Sequence, residues 1–244
     1  MNLTAEEKMM YGVMNAIYAS DIPIHFKGAM VLKACLMAEG LEEEIRHTTD
    51  IDANWYSDTP PTAEVIEDSL HSALRNAGIH LEVKLYRMYG EGRSAGLDLI
   101  DPETGESLFT MDMDVNRPAQ PTRLYQVTGL TFRGITADQM LADKISAIST
   151  EKVFRRIKDV VDLYYLSQVV DLDRTGLMKT LENSGRVLGD FHGFLQGTPE
   201  LRHAYEKFRF TGDVSKPPFD EVYDAVKNYL REILPNTRSK GLER

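Results

Sequence analysis

The chain of 244 residues has one cysteine, one tryptophan and no long hydrophobic run. Cys35 lies in an apolar stretch with helical periodicity, so no disulfide can form within the chain and a reducing compartment is favoured. No apolar run approaches the roughly 18 residues that a membrane span needs. The acidic, polar start is also unlike a signal peptide. We therefore expect a cytoplasmic protein that does not enter a membrane.

Several common catalytic motifs are missing as well. The six histidines have no metal-ligand spacing, which argues against a zinc site. The absence of G-x-S-x-G, Walker A and G-x-G-x-x-G argues against the hydrolase elbow, the P-loop and the dinucleotide-binding fold. A net charge of −10 argues against a protein that coats nucleic acid generally. It is still compatible with a local basic groove, because binding follows the local field.

The composition that remains, 42% hydrophobic and 27% charged residues, is typical of a globular protein. An early strand–helix unit is followed by several short strands, and the rest of the chain has helical patterns. We predict an α+β fold: a mixed β-sheet with flanking helices, followed by a mainly helical C-terminal part. The boundary lies near residue 135 or near residue 170. We place it at 135, which gives domains 1–135 and 136–244.

Capping residues mark two of the predicted helices. Thr4 and Glu7 form a capping box for a helix over residues 4–19, and Thr62 caps a helix that ends near Asn76. The second helix should turn Val65, Ile66, Leu70 and Leu74 inward. Strands are predicted over residues 22–26, 50–55, 79–88, 96–100, 107–115, 124–127 and 130–135. C-terminal helices are predicted over residues 136–149, 152–169, 171–196 with interruptions, 199–209 and 218–233, and a loop is predicted over residues 192–199.

The first strand leads directly into a turn and a helix. Lys27, Gly28 and Ala29 form the turn, and an apolar helical run follows from Met30 to Ala38. A glycine here lets backbone approach a phosphate, and the helix N-terminus adds N–H donors and a favourable dipole. The simpler alternative is an ordinary tight turn, and the direction of the Lys27 side chain stays open.

Two D-x-D pairs lie on predicted strands. Asp50 and Asp52 share one face of the second strand, and Asp112 and Asp114 share the solvent face of the strand over 107–115. Carboxylates 4 Å apart repel by roughly 4 kcal/mol at an effective dielectric constant of about 20. If the two strands are neighbours, such a cluster is best explained by a bound cation. If they are not, the pairs are ordinary exposed acids.

Taken alone, Lys144 is predicted to be a surface lysine on the helix that begins after Thr136. The Arg155–Asp159 and Lys158–Asp162 spacings predict surface ion pairs of little energetic weight. A local positive excess is nevertheless present in this acidic chain, at Lys144, Lys152, Arg155, Arg156 and Lys158.

Five segments occur in an order that resembles a known family. They are FKGAMVL (26–32), RHTTDID (46–52), MDVN (113–116), ADKISA (142–147) and KDVVDLY (158–164). Each motif is weak alone, but their order and flanks resemble the AbiEii/AbiGii-type nucleotidyltransferases, within the polymerase-β-like nucleotidyltransferase superfamily. Members of that family are the toxins of bacterial type IV toxin–antitoxin and abortive-infection pairs. The resemblance covers roughly residues 20–170.

The resemblance implies a set of roles for individual residues. Asp50, Asp52 and Asp114 would hold Mg²⁺, with Asp112 competing with Asp114 for the third place. Lys27, Gly28, Ala29 and Thr49 would contact the nucleotide, Lys144 would contact the triphosphate, and Asp159 would complete the site. The expected reaction transfers a nucleoside monophosphate from an NTP to an acceptor hydroxyl, for example on tRNA. The expected partner is an antitoxin of the helix-turn-helix type.

Two rival hypotheses remain at this stage. The acceptor could be a small molecule, as in antibiotic-modifying nucleotidyltransferases, which the negative net charge suits. The chain could instead be an inactive nucleotide-binding or interaction module. Ala29 prompts that alternative, because it stands where the family usually has glycine or serine.

Overall fold

The computed structural model describes residues 3–41, 45–89, 93–115, 119–210 and 214–235. By its internal contacts the chain divides into a first unit that ends at Ala137 and a second unit that begins at Asp138. In the described ranges, no helix combines the length and the apolar character that crossing a membrane requires.

A seven-stranded mixed sheet forms the centre of the first unit. Its strands are β1 (Ile24–Lys27), β2 (Asp50–Trp55), β3 (Glu82–Tyr89), β4 (Ser94–Ile100), β5 (Ser107–Val115), β6 (Thr122–Val127) and β7 (Leu130–Ile135). They are ordered β3-β4-β5-β2-β1-β7-β6 across the sheet. The β2–β5 and β1–β7 pairs are parallel, and the other neighbours are antiparallel. The α+β class with a mixed sheet is therefore confirmed.

Three helices accompany this sheet: α1 (Ala5–Ala19), α2 (Gly28–Ala38) and α3 (Ala63–Asn76). The capping box of α1 is present, since Thr4 Oγ1 accepts from the Glu7 amide and the Glu7 carboxylate accepts from the Thr4 amide. The Thr62 side chain caps α3 as predicted. Aromatic side chains fill the core beneath α1, where the Phe132 ring lies 5.7 Å from Tyr11 and 6.0 Å from Phe26.

Strand alternation separates a core face of the sheet from a polar face. Along β5, Met111, Met113 and Val115 are buried, while the residues between them face the other side. Ile51 is fully buried between Asp50 and Asp52 on β2. Because a strand repeats its side-chain direction every second residue, both D-x-D pairs lie on the polar face.

The second unit is helical. Its elements are α4 (Ala137–Ile148), a 3₁₀ turn (Val153–Arg156), α5 (Ile157–Leu166), α6 (Arg174–Asn183), α7 (His192–Gln196), α8 (Thr198–Lys207) and α9 (Phe219–Tyr229). The core of this unit includes Phe194, Leu201 and Val226, which are almost fully buried.

Three local predictions are wrong. Val65, which was expected to face inward, is 46% exposed, because α3 buries only one face and Val65 lies outside that face. The predicted loop over 192–199 contains α7 and the start of α8. Pro199 follows Thr198 in the first turn of α8, at a position that tolerates a missing N–H. The helix predicted over 152–169 begins as a 3₁₀ turn and becomes α-helical only at Ile157.

Candidate active site

The two D-x-D pairs come from neighbouring parallel strands. Asp52 on β2 lies directly opposite Asp112 on β5, and Asp114 lies opposite Asn54. Residues opposite each other on adjacent strands have backbones about 4.8 Å apart. The polar face therefore carries Asp50, Asp52, Asp112 and Asp114 in two adjacent rows, which is the neighbouring arrangement on which the metal hypothesis depended.

The turn before α2 packs against one of these acids. Gly28 has a φ of +70°, a conformation that favours glycine. A Cβ added to it would lie 1.9 Å from Asp52 Oδ2, so the carboxylate fills the space that any side chain would need. Gly28 is thus required for the position of Asp52 at the first turn of α2, where a helix dipole favours negative charge. Ala29, the next residue, is half-buried in that first turn.

The other acid of β2 is held by the loop that precedes it. The Thr48 hydroxyl donates to Asp50 Oδ1, and Thr48 is only 6% exposed. Thr49, the residue assigned to the nucleotide, has an exposed side chain, and its carbonyl accepts from the Thr110 amide at 3.4 Å. The structure therefore gives the neighbouring threonine a contact that the sequence did not reveal.

Two cations pair with the acids of β5. Lys27 Nζ forms an ion pair with Asp114, and Arg87 Nη2 lies 3.1 Å from Asp112 Oδ1. The four side chains line an open pocket of about 210 Å³, which also contacts Ser94. Two cations and two carboxylates thus line one pocket.

A polar cluster continues the same face beyond the acids. Asn54 is buried, and its amide nitrogen donates to Tyr56 Oη and to Gln120 Oε1, each at 3.0 Å. His25, opposite Asn54 in the register, has its ring centre 4.4 Å from that of Tyr56. Burial, helped by the charge of Arg133, lowers the pKa of His25 and favours the neutral imidazole.

The acidic face suits a magnesium ion that also binds substrate phosphates. Among the described residues, no group of three or more histidine, cysteine or acidic side chains is arranged to hold a metal alone. Magnesium does not require such a cage, since it commonly uses one or two carboxylates, waters and phosphate oxygens. Asp50 and Asp52, with Asp112 opposite, supply the hard oxygen donors that this mode of binding needs.

A second charged cluster lies inside the first unit. Lys33 Nζ lies 2.8 Å from both carboxylate oxygens of Glu7, and His47 Nδ1 lies 3.0 Å from Glu7 Oε1. Burial by itself raises the pKa of Glu7, but the hydrogen bonds from Lys33, His47 and the Thr4 amide, together with the charge of Lys33, outweigh it and lower that pKa overall. His47 immediately precedes Thr48, so this cluster anchors the loop that holds Asp50.

The predicted site residues of the second unit form a cluster of their own. Lys144 Nζ lies 2.6 Å from Asp162 Oδ2 and 3.5 Å from Asp159 Oδ1. Lys144 and Asp162 are both buried, at 8% and 3% exposure. Asp159 also pairs with Arg156, at 2.9 Å.

This geometry corrects two predictions: that Lys144 is a surface lysine, and that the ion pairs are Arg155–Asp159 and Lys158–Asp162. Lys144 is not a surface lysine. Asp159 pairs with Arg156 and Lys144, and Asp162 pairs with Lys144, because the acids turn toward α4.

The sequence contained a signal for the buried pair, since Asp162 lies among the apolar residues Val160, Val161 and Leu163. No comparable signal marked Arg87 or Thr48.

Comparison with known proteins identifies the family of the chain. The family model described as "Nucleotidyl transferase AbiEii toxin, Type IV TA system" matches residues 13–225. No curated protein matches the chain. Among solved structures, MenT4, a nucleotidyltransferase toxin from Mycobacterium tuberculosis H37Rv, is similar at 16% identity and a TM-score of 0.50, covering 94% of this chain and 92% of that one. An antigenic nucleotidyltransferase-like protein from Paracoccidioides brasiliensis is similar at 15% identity and a TM-score of 0.47, covering 82% and 92%.

The structural likeness to MenT4 shows a shared fold, and the family match extends over most of the sequence and over both units. It also includes the segments that carry the acids, the glycine turn and Lys144. The resemblance predicted from the sequence is confirmed: the chain is a nucleotidyltransferase and belongs to the AbiEii toxin family of type IV toxin–antitoxin systems.

Proposed function

We propose that the chain transfers a nucleoside monophosphate from an NTP to an acceptor hydroxyl in a Mg²⁺-dependent reaction, and that the acceptor is RNA such as tRNA. The observation that carries the proposal is the β2–β5 register, which sets Asp52 opposite Asp112 on the face that also carries Asp50 and Asp114. Acids from segments some sixty residues apart meet there, and hard oxygen donors favour magnesium.

The proposed chemistry is a single displacement at phosphorus. The acceptor oxygen forms a bond to the α-phosphorus, the bond from that phosphorus to the bridging α–β oxygen breaks, and pyrophosphate leaves with its electron pair. The hydroxyl proton passes to a carboxylate of the site or to solvent. A bound metal ion supplies Lewis-acid stabilisation of the developing charge on the phosphoryl oxygens.

Each side chain then has a task in binding. Asp50 and Asp52 hold the metal, and either Asp114 or Asp112 provides the third carboxylate. Thr48 keeps Asp50 oriented.

The nucleotide contacts come from the turn and from a cation. Lys27 lines the pocket beside β5, and the first turn of α2 at Gly28 and Ala29 faces phosphate with a favourable dipole. The roles of Thr49 and Asp159 in the site, and of Lys144 toward the triphosphate, stay predictions from the resemblance.

The family implies an antitoxin partner, because its members are the toxins of toxin–antitoxin pairs. We propose an antitoxin of the helix-turn-helix type, encoded beside this chain. Expression of the chain alone should arrest growth, and Asp52→Ala should relieve the arrest. Persistent arrest with that variant would separate toxicity from nucleotide transfer.

The direct test is transfer of labelled nucleotide from each NTP into RNA, with and without Mg²⁺. Asp52→Asn should lower the rate by about 100-fold or more, because losing even an outer-shell partner of a metal typically costs about 10–100-fold. Asp58→Asn is the matched control, since Asp58 is an exposed acid just beyond the same strand. That variant should keep the wild-type rate.

Other outcomes would select the rival functions. Label that enters a small molecule and not RNA would indicate an antibiotic-type acceptor. No transfer to any acceptor, equal for wild type and Asp52→Asn, would indicate an inactive binding module.

A further inference from the structure

One register row crosses five strands of the sheet. Arg87 on β3 lies opposite Gly96 on β4, which lies opposite Asp112 on β5, and the row continues through Asp52 on β2 to Lys27 on β1. Cations therefore stand at both ends, with two carboxylates between them. Because neighbouring strands are about 4.8 Å apart, the Cα atoms at the two ends of the row are about 19 Å apart across the sheet. Both long side chains must therefore reach inward to line one pocket.

A β-bulge and a glycine bring Arg87 inward. The β3–β4 register shifts between Leu85 and Arg87, which leaves Tyr86 as the extra residue. Bulges re-aim side chains and often lie near active sites. A Cβ on Gly96 would lie 2.7 Å from the Tyr86 ring and 2.8 Å from Arg87 Nε, so the absence of a side chain there gives Arg87 its path across β4. The guanidinium then lies 3.1 Å from Asp112.

The pairs at the pocket are well placed to exchange partners. Arg87 and Asp112 have side chains 39% and 47% exposed, so water weakens their attraction, and the pair is easily separated. Lys27 and Asp114 hold each other in the same pocket at 22% and 23% exposure. A ligand that carries both a cation and phosphate groups satisfies all four side chains, because the carboxylates turn to the cation and the cations to the phosphates.

We propose that Arg87 binds the pyrophosphate portion of the nucleotide, from the end of the row opposite Lys27. This inference rests on the proposed function and adds a specific residue to it. The flat guanidinium matches two phosphate oxygens at once, which the point charge of a lysine does not. Arg87 also leaves Asp112 when it binds phosphate, and so makes that carboxylate available beside Asp52.

The test measures binding of inorganic pyrophosphate at fixed Mg²⁺ by calorimetry, with a nucleoside monophosphate as the second probe. Arg87→Gln should weaken pyrophosphate binding by about tenfold or more, since hydrogen bonds to charged groups are among the strong ones. It should change monophosphate binding much less. Arg87→Lys should lie between wild type and Arg87→Gln.

Gly96→Ala supplies an independent variant, because it leaves Arg87 in the sequence and closes its path. The atoms that the new methyl meets are the far ends of two flexible side chains, so they can move aside. Pyrophosphate binding should weaken as in Arg87→Gln. Arg75→Gln, which removes an exposed arginine of α3 in the same unit, should bind as wild type does.

Failure of this inference differs from failure of the proposed function. The role of Arg87 would be overturned if Arg87→Gln bound pyrophosphate as tightly as wild type does, or if it lost affinity for pyrophosphate and monophosphate equally. Neither result would affect the proposed function, provided that nucleotide transfer still depends on Asp52. Arg87-dependent pyrophosphate binding without any transfer would keep the inference and overturn the function. Wild-type protein that binds no pyrophosphate would overturn the inference alone.

Discussion

The first unit contains two lysine–carboxylate pairs that differ in their surroundings. The Lys33–Glu7 pair is sealed in the interior, with side chains 2% and 0% exposed, whereas the Lys27–Asp114 pair lines an open pocket with both side chains about one-fifth exposed. The type of side chain alone therefore does not tell which lysine is sealed in the interior and which lines an open pocket. Burial and the neighbouring groups make that distinction.

The two pairs differ in what each can do. Glu7 is occupied on several sides by Lys33, His47 and its own helix cap, so the buried cluster has one arrangement and fixes the loop before β2. Buried pairs are expensive to break because a lone charge is left without water. The pairs of the pocket lose little stability on separation, which suits the ligand-binding role that we propose for their side chains.

The largest expected effect comes from breaking the buried pair. Lys33→Met should lower the free energy of unfolding by about 3 kcal/mol or more, because it leaves the Glu7 carboxylate buried without its main partner. Urea unfolding followed by tryptophan fluorescence measures the stability of the first unit, since Trp55 on β2 is the only tryptophan of the sequence and is 5% exposed.

The control for this prediction is the double variant Glu7→Gln/Lys33→Met. Removing both charges should recover part of the lost stability, because no unpaired charge then remains in the interior. A double variant that is as unstable as the sum of the two single ones would mean that packing, and not the lone charge, dominates this cluster.

A smaller effect is expected from pH, and it has a definite sign. The pKa of Glu7 is lower in the folded protein than its usual value of about 4.3, so folding favours the charged form. This contribution to stability is complete above the usual pKa and is lost as the pH falls through the lower folded value. The gap in unfolding free energy between wild type and Glu7→Gln should therefore narrow below about pH 4.3. A gap that stays constant down to pH 3 would show that the charge of Glu7 does not stabilise the fold.

The sequence predicted the elements of the first unit because their signals are local. The capping residues Thr4 and Thr62, and the alternation along β5, each specify structure within a few residues. The two D-x-D pairs were visible for the same reason. The register between the two strands could not be predicted, because pairing between segments about sixty residues apart depends on the whole sheet. Only the structure shows that Asp112, and not Asp114, lies opposite Asp52.

The missed residues share a physical cause. Arg87 reaches the pocket through a bulge and across a glycine of another strand, and Lys33 sits in an apolar helix whose partner lies on α1. Neither contact leaves a periodic trace. Lysine at a core position was nevertheless a signal, since a charge in an apolar stretch needs a buried partner. The same reasoning applied to Asp162 predicts its pairing with a cation.

The smallest effect on stability is expected at the pocket, where Lys27→Gln provides the counterpart to Lys33→Met. Loss of a partly exposed pair should change the free energy of unfolding by less than about 1 kcal/mol, measured through Trp55 as before. Nucleotide transfer should fall by about tenfold or more, since the variant removes the charged contact that we propose between Lys27 and phosphate. Lys8→Gln, an exposed lysine of α1, is the matched control and should change neither quantity. If Lys27→Gln destabilised the fold as much as Lys33→Met and left transfer intact, then Lys27 would be structural, and exposure would not separate the two kinds of pair.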